Sequence, residues 1–264
     1  MAGSQGLLVG ILLGAAALTS VAAAETIPLP TPAPLPKEGA APAAKPATNA
    51  QSGVSGLAAG LKSLFHLDKQ PEAPAAPAAT TTVALNPTQR TQIDKVSTYL
   101  SSVQQLVGNF VQVGPDGSRV KGEFYIQKPG KIRFEYDPPS PVEIVADGQS
   151  VVVRDRKLAT QDLYPLSQTP LRFLLADRID LMRDTNLVGV YADDVFVTVV
   201  IEERQIIAGT HRVMLMFGAQ DFQLRQWTVT DPQGYDTTVA VYNLDAKSSP
   251  DPNMFRIDYT RNIQ

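Results

Sequence analysis

The chain has 264 residues, a formal charge of −3 at pH 7, two histidines and no cysteine. This charge balance does not supply the basic surface that nucleic acid binding needs. The absence of cysteine from the sequence excludes disulfides, thiol nucleophiles and cysteine-ligated metal sites.

The N-terminus has the pattern of a secretory signal peptide. Residues 7–21 form an uncharged run rich in Leu and Ala, and three alanines ending at Ala24 precede Glu25, which is typical of cleavage after Ala24. The run is shorter than the stretch of about 20 apolar residues that a membrane span needs. We therefore predict a signal peptide over residues 1–24. No Lys or Arg precedes the run, which leaves an uncleaved N-terminal anchor as the alternative.

Residues 25–86 are rich in Pro, Ala and Thr, a composition that buries too little apolar surface to fold and predicts a linker. Within the linker, residues 53–69 form a short amphipathic segment whose apolar side chains recur at helical spacing. These are Val54, Leu57, Leu61, Leu64 and Phe65. The segment is interpreted either as a helix that packs on the downstream domain or on nothing, or as a helix for a membrane surface or a partner.

The folded domain is predicted to cover residues 87–264 and to begin with a helix. Asn86, Pro87 and Gln89 match the N-cap, the first helical position and the third position of a capping box. An apolar stripe then continues as far as Val107, which predicts about five turns with one face that needs a partner surface. Its members are Ile93, Val96, Leu100, Val103, Leu106 and Val107.

About a dozen strands follow the helix, separated by short turns that force neighbouring strands to be antiparallel. They are predicted at residues 110–113, 119–127, 131–137, 142–147, 150–155, 159–164, 188–191, 195–202, 211–217, 224–231, 235–243 and 255–259, with a helical piece at 169–175. Such a series predicts a barrel or sandwich that the amphipathic helix covers.

Alternation along these strands predicts one apolar face, opposite Glu123, Arg133, Glu135 and Glu143. Its predicted members include Phe124, Ile126, Ile132, Phe134, Tyr136, Ile144, Met214 and Met216. A filled core and a lipid pocket both require such a face, so periodicity alone does not choose between them.

The inventory of chemical groups does not predict an enzyme. His66 and His211 lie 145 positions apart, and the pairs at 193–194 and 202–203 are charged residues at the ends of one predicted strand. The sequence has no Gly-rich phosphate loop. We therefore predict no catalytic residue, no metal site and no cofactor, which leaves binding or a structural role.

Six short stretches occur in the order seen in a known family. They are NFVQ at 109–112, GEFYIQKPG at 122–130, IRFEY at 132–136, IVADG at 144–148, TPLRFLL at 169–175 and NMFRI at 253–257. Over residues 87–264 the chain resembles the family of the periplasmic outer-membrane lipoprotein carrier protein LolA.

The resemblance implies a mainly β domain, namely an incomplete, half-open antiparallel barrel of about 11 strands. A long N-terminal helix and short helices would cover its concave face and enclose a hydrophobic cavity for acyl chains. The implied lining is Phe124, Ile126, Ile132, Phe134, Tyr136 and Ile144. Lys128, where the family usually has Arg, would contact the helical lid; its point charge lacks the planar fork of Arg.

The same resemblance implies partners and a location. The protein would be a periplasmic monomer that carries acylated lipoproteins. It would receive them from an inner-membrane ABC transporter of the LolCDE type and deliver them to the outer membrane, through a receptor in species that have one. The extension at residues 25–86 has no counterpart in the plain carrier, so a periplasmic lipid-binding sensor or regulatory module on the same fold is the alternative. A hydrolase has only scattered carboxylates in its favour.

Overall fold

A computed structural model describes residues 84–205 and 209–260 of the chain. The predicted signal peptide at 1–24, the linker as far as residue 83 and the amphipathic segment at 53–69 lie outside the described residues. Within the described ranges, no helix has the length and apolar character to cross a membrane.

The first helix, α1, covers Pro87–Ser102 and begins as predicted. The Asn86 side chain accepts a hydrogen bond from the Gln89 amide at 2.8 Å, and the Gln89 side chain accepts one from the Asn86 amide at 3.0 Å. The prediction of about five turns reaching Val107 was wrong, because the chain leaves the helix at Ser102 and enters the first strand at Gln105. The apolar residues beyond Ser102 fit strand spacing as well as helical spacing.

Eleven strands of the described chain form one antiparallel sheet. They are β1 Gln105–Val113, β2 Arg119–Gln127, β3 Lys131–Tyr136, β4 Val142–Asp147, β5 Ser150–Asp155, β6 Thr160–Pro165, β7 Leu187–Ala192, β8 Phe196–Gln205, β9 Gly209–Gly218, β10 Leu224–Thr230 and β11 Asp236–Asp245. Their order is β6-β5-β4-β3-β2-β1-β11-β10-β9-β8-β7. Since β6 and β7 are edges, the sheet is open, which confirms the expected half-open architecture.

The predicted strand at residues 255–259 was wrong. The chain forms a 3-10 turn at Pro252–Phe255 that packs against β3 and β4. Pro252 stands at the first position of this turn, and the Asp251 side chain accepts a hydrogen bond from the Asn253 amide at 2.9 Å. These two residues favour the start of a helical turn over an extended strand.

The connection from β6 to β7 joins the two edges of the sheet. It contains a 3-10 turn at Leu166–Gln168 and two short helices, α2 at Leu171–Leu175 and α3 at Leu181–Asp184. We call residues 166–184 the lid segment. The predicted helical piece at 169–175 corresponds to α2, whereas α3 had no counterpart among the predicted elements.

The register of the strands decides which side chains share the concave face. Phe124 on β2 stands opposite Phe134 on β3, which stands opposite Ile144 on β4. Side chains of this face form one buried apolar cluster with α1 and the lid segment.

The predicted placement of Met214 and Met216 on the apolar concave face was wrong. Val213 and Leu215 belong to the concave cluster, and the two methionines alternate with them on the outer face of β9. Every residue from 213 to 217 is apolar, so alternation in the sequence could not identify the inward set.

Candidate lipid-binding face

The centre of the concave face is a group of aromatic rings around Phe134. The ring centroid of Phe134 lies 5.2 Å from that of Phe110 in edge-to-face contact and 6.1 Å from that of Phe124. On its other side the Trp227 ring lies 6.3 Å away. The geometry is typical of stabilising aromatic pairs, so strands β1, β2, β3 and β10 meet through these side chains.

The polar group of Tyr136 is satisfied inside this apolar face. Its ring packs edge to face on Phe110 at 5.1 Å, and its hydroxyl donates a hydrogen bond to the Gln112 side chain at 2.8 Å. Tyr136 and Gln112 are both buried. Burial raises the pKa of the Tyr136 hydroxyl well above its usual value, so this group stays neutral and offers no charge to the face.

The structure brings all six predicted lining residues together on the concave side. Phe124, Ile126, Ile132, Phe134, Tyr136 and Ile144 are each at most 6% exposed and belong to the same cluster. Sequence reasoning missed Phe110 and Trp227. Phe110 could have been assigned once β1 was paired with β2, because this register places Phe110 opposite Gly122, two residues before Phe124. Trp227, the sole tryptophan of the chain, gave no such signal, because it has no aromatic neighbour at strand spacing.

Two covers close the concave face. From α1, the side chains of Ile93, Val96 and Leu100 are buried in the cluster. From the lid segment, Leu171, Phe173, Leu174, Leu175, Ile179 and Leu181 are buried in it as well. The apolar surface of the sheet is therefore in contact with protein.

A small void remains between the lid segment and the sheet. Its volume is about 10 Å³, whereas pockets for lipid-sized ligands measure about 300–1,000 Å³. It is lined by Pro170, Leu171, Leu174, Val213, Leu215, Trp227 and Val229. An acyl chain would have to displace α2 from β9 and β10 to enter here.

The polar attachments of the lid segment to α1 involve two serines. Ser101 Oγ donates to the Ile179 carbonyl at 3.3 Å and accepts from the Ile179 amide at 3.1 Å. Ser97 Oγ accepts from the Leu181 amide at 3.2 Å. The lid segment is thus tied to α1 through hydroxyl groups that can rotate and that water can replace.

Further attachments of the lid segment reach the sheet and its connections, including the Leu166 amide, which donates to the Gln149 carbonyl at 2.8 Å, and the Gln104 side chain, which donates to the Asp177 carbonyl at 3.5 Å. The Gly130 amide, in the β2–β3 turn, donates to the Leu175 carbonyl at 2.9 Å. At the opposite side of α2, the Arg172 guanidinium lies 2.8 Å from a carboxylate oxygen of Glu203 on β8. Glu203 faces His211 across the β8–β9 pair, and burial lowers the pKa of His211 to about 4.

Lys128 contacts α1 at the end of the helix. Its ammonium donates a hydrogen bond to the Leu100 carbonyl, and its amide donates to the Gln104 carbonyl at 2.8 Å. Burial lowers the pKa of Lys128 to about 8, partly opposed by the carboxylate of Asp177 in the lid segment. A cation here suits the last turn of a helix, where carbonyl groups lack partners.

Residues 84–205 and 209–260 do not bring three or more His, Asp or Glu side chains close enough together to hold a metal ion. The concave face instead offers a large apolar area beneath helices that are fastened by few polar contacts. This arrangement can bind a flexible apolar chain if the helices move away from the sheet.

Comparison with known proteins agrees with this geometry. The family model described as outer membrane lipoprotein carrier protein LolA matches residues 101–258. An outer-membrane lipoprotein carrier protein of Methylobacillus flagellatus is 27% identical over 160 residues, which cover 58% of this chain and 77% of that protein. An uncharacterized protein of Rickettsia prowazekii is 29% identical over 92 residues, which cover 35% of this chain and 43% of that protein.

Among solved structures, a LolA superfamily protein of Nitrosomonas europaea matches 63% of this chain and 98% of its own, with 13% identity and a TM-score of 0.35. The alignments to the curated relatives are partial, since the one to the Rickettsia protein spans less than half of that relative. The family model, in contrast, matches more than half of the present chain. The chain therefore belongs to the LolA family.

Proposed function

We propose that this protein is a periplasmic carrier that binds the acyl chains of lipoproteins and moves them from the inner to the outer membrane. The observation that carries the proposal is the aromatic and aliphatic concave face, which is covered by helices that few polar contacts hold in place. The acyl chains lie between this face and its cover, against Phe124, Phe134 and Trp227.

The energetics favour a cover that opens. Burying an acyl chain yields about 0.8 kcal/mol per methylene, or about 13 kcal/mol for a chain of 16 carbons. Six neutral hydrogen bonds join the lid segment to the rest of the described chain, and at about 0.5–1.5 kcal/mol each they contribute at most about 9 kcal/mol. The partly exposed Arg172–Glu203 pair adds at most about 1 kcal/mol. Apolar side chains that the lid segment withdraws from the sheet meet the lipid instead. One acyl chain thus offsets the polar attachments that it breaks.

Lys128 has a defined role in this proposal. Its ammonium holds the C-terminal end of α1 by donating to the Leu100 carbonyl, and it releases that carbonyl when the helix moves. Lys offers a point charge and not the planar fork of Arg, so a single contact has to be broken. This makes Lys128 the polar latch of α1.

The proposed partners follow from the direction of transport. An inner-membrane ABC transporter loads the carrier, since extraction of a lipoprotein from a bilayer needs an external source of free energy. The outer membrane, or a receptor on it, receives the cargo. The carrier itself performs no reaction on the lipid.

The test is release of a lipoprotein from inner-membrane vesicles that contain the transporter. We expect the purified protein and ATP to transfer labelled lipoprotein to the soluble fraction, and native mass spectrometry to detect the acylated cargo on the protein. Emission from Trp227 should change at the same time, because this side chain lines the void under α2. Failure to release lipoprotein together with failure to co-purify acylated peptide would refute the proposal. Capture of a membrane regulator in place of a transporter would support the sensor alternative.

A further inference from the structure

The concave side of strands β8 and β9 ends in a polar pair. Glu203 and His211 stand opposite each other, and the next inward-facing pair along the two strands is Ile201 with Val213, which belong to the concave cluster. Val213 also lines the void under α2. Two residues of a strand span about 7 Å, so Glu203 stands at one end of the space that an acyl chain would enter.

The lid segment supplies a charge that neutralises Glu203. The Arg172 guanidinium on α2 lies 2.8 Å from a carboxylate oxygen of Glu203, and the side chains of Arg172 and Glu203 are 41% and 10% exposed. The carboxylate is therefore largely withdrawn from water, whereas the guanidinium reaches solvent. His211 is neutral at pH 7, because burial lowers its pKa to about 4, so it brings no positive charge to this pair.

Two arginines beside Glu203 in the sheet face away from it. Arg204 follows Glu203 in β8, so its side chain alternates to the outer face. Arg212 also lies on the outer face, where its guanidinium donates a hydrogen bond to the Glu202 carboxylate at 2.8 Å. Of these three arginines, Arg172 is the one that neutralises Glu203, and it does so only while α2 stays on the sheet.

Entry of an acyl chain separates Arg172 from Glu203. The void is too small for a lipid, so α2 has to leave β9 and β10, and Arg172 leaves with it. A carboxylate that remains on an apolar face without this partner is costly, since a buried charge needs a counter-ion. A ligand that brings its own cation to this position removes the cost, whereas a neutral or an anionic head group does not.

We infer that Glu203 binds a primary ammonium group of the acylated ligand, in the place that Arg172 occupies in the closed protein. The inference rests on the proposed function and specifies the polar group of the cargo. An ammonium is compact and donates three hydrogen bonds, which suits a carboxylate. The acyl chains lie under α2 beside Trp227, and the ammonium lies at the end of the same space. Since the exposure of Arg172 shows that this end reaches solvent, the rest of the cargo continues outward from it.

Two kinds of acylated molecule carry such a group. One is a lipoprotein whose N-terminal cysteine keeps a free amine, and the other is a phospholipid with an ethanolamine head group. N-acetylation removes the positive charge of either molecule and leaves the long acyl chains unchanged. Comparison of the free and the acetylated forms therefore isolates the contribution of the ammonium.

Binding titrations followed by the emission of Trp227 test the inference on the purified full chain. The probes are a diacylated lipopeptide with a free N-terminal amine and lysophosphatidylethanolamine, each beside its N-acetylated form. We expect the free form to bind at least ~tenfold more tightly than the acetylated form. This preference with the lipopeptide identifies a lipoprotein amine as the source of the ammonium, and a preference confined to lysophosphatidylethanolamine identifies a phospholipid head group; either result supports the site.

Glu203→Gln should reduce the ratio of the two affinities to below ~twofold, because glutamine keeps the shape of glutamate and lacks its charge. Arg172→Gln is the matched control, since it breaks the same contact with α2 and leaves the carboxylate in place. It should tighten the binding of both forms and preserve their ratio.

Equal binding of the free and acetylated forms of both probes to the unchanged protein would overturn the inference and leave the carrier function standing. A ratio that persists in Glu203→Gln would also overturn it. Binding of neither probe in either form would refute the proposed function and the inference with it. The ratio in the unchanged protein decides the matter even where a substitution prevents folding.

Discussion

Replacing Phe134 by alanine tests whether the concave face is packed while the lid segment is closed. The Phe134 side chain is 4% exposed and contacts the rings of Phe110 and Trp227. Burial of a phenylalanine contributes about 1.5–3 kcal/mol, and an aromatic pair adds about 0.5–1.5 kcal/mol. We therefore expect Phe134→Ala to lower the free energy of unfolding by about 3–4 kcal/mol, which agrees with about 3–5 kcal/mol for such changes in protein cores.

Urea unfolding followed by fluorescence measures this change, since Trp227 is the single tryptophan of the chain and lies beside the substituted ring. Domains are stable by about 5–15 kcal/mol, so the variant should retain a folded baseline at low temperature. Tyr235→Ala is the control, because Tyr235 is 59% exposed and its removal should change stability by less than about 0.5 kcal/mol. A loss below about 1 kcal/mol for Phe134→Ala would refute the reasoning, since water or lipid would then already occupy the space beside this ring.

Three further predictions concern a glycine of β2, the pH dependence and the contact of Lys128 with α1. Gly122→Ala should destabilise the domain by about 3 kcal/mol in urea unfolding, because the added Cβ would lie 1.9 Å from the Glu135 carbonyl oxygen. As pH falls from 6.5 toward 4, stability should drop by up to about 3 kcal/mol, since the unfolded chain protonates His211 before the folded chain does; His211→Gln should lack this part of the pH profile. Lys128→Met should speed amide hydrogen exchange in the last turn of α1 and cost about 1 kcal/mol, whereas Lys128→Arg should preserve the contact with Leu100.

The start of α1 could be predicted and its end could not, for a physical reason. The cap at Asn86 depends on residues three positions apart, so local sequence specifies it. The end depends on β1 pairing with β2 and β11, which contribute the partners for residues from Gln105 onward. Apolar residues at 103 and 106 satisfy either outcome, and tertiary pairing decides between them.

The same distinction applies to the candidate site. Strand β3 alternates strictly between charged and apolar residues, and Phe124 and Ile126 on β2 stand two positions apart. Phe124 and Phe134 could therefore be assigned to one face, and the structure places them opposite each other. Met214 and Met216 could not be assigned, because their strand is apolar on both faces. Only the structure shows that Val213 and Leu215, and not the two methionines, belong to the concave cluster. Whether the six predicted residues line a lipid cavity stays a prediction.

The strand order has a consequence for how the chain reaches its native state. Every strand pair in the sheet joins strands that are consecutive in the sequence, except the pair of β1 with β11. These two strands are the first and the last of the sheet in the sequence, although they are neighbours in space. Two meanders, β1–β6 and β7–β11, can therefore form early through local contacts, whereas the seam between them has to wait until the last strand has been synthesised. The pairing of β1 with β11 lies in the middle of the sheet. A chain truncated before β11 therefore lacks the central strand pair and not merely an edge strand. The complete sheet therefore cannot assemble before the C-terminal strand is available to pair with β1.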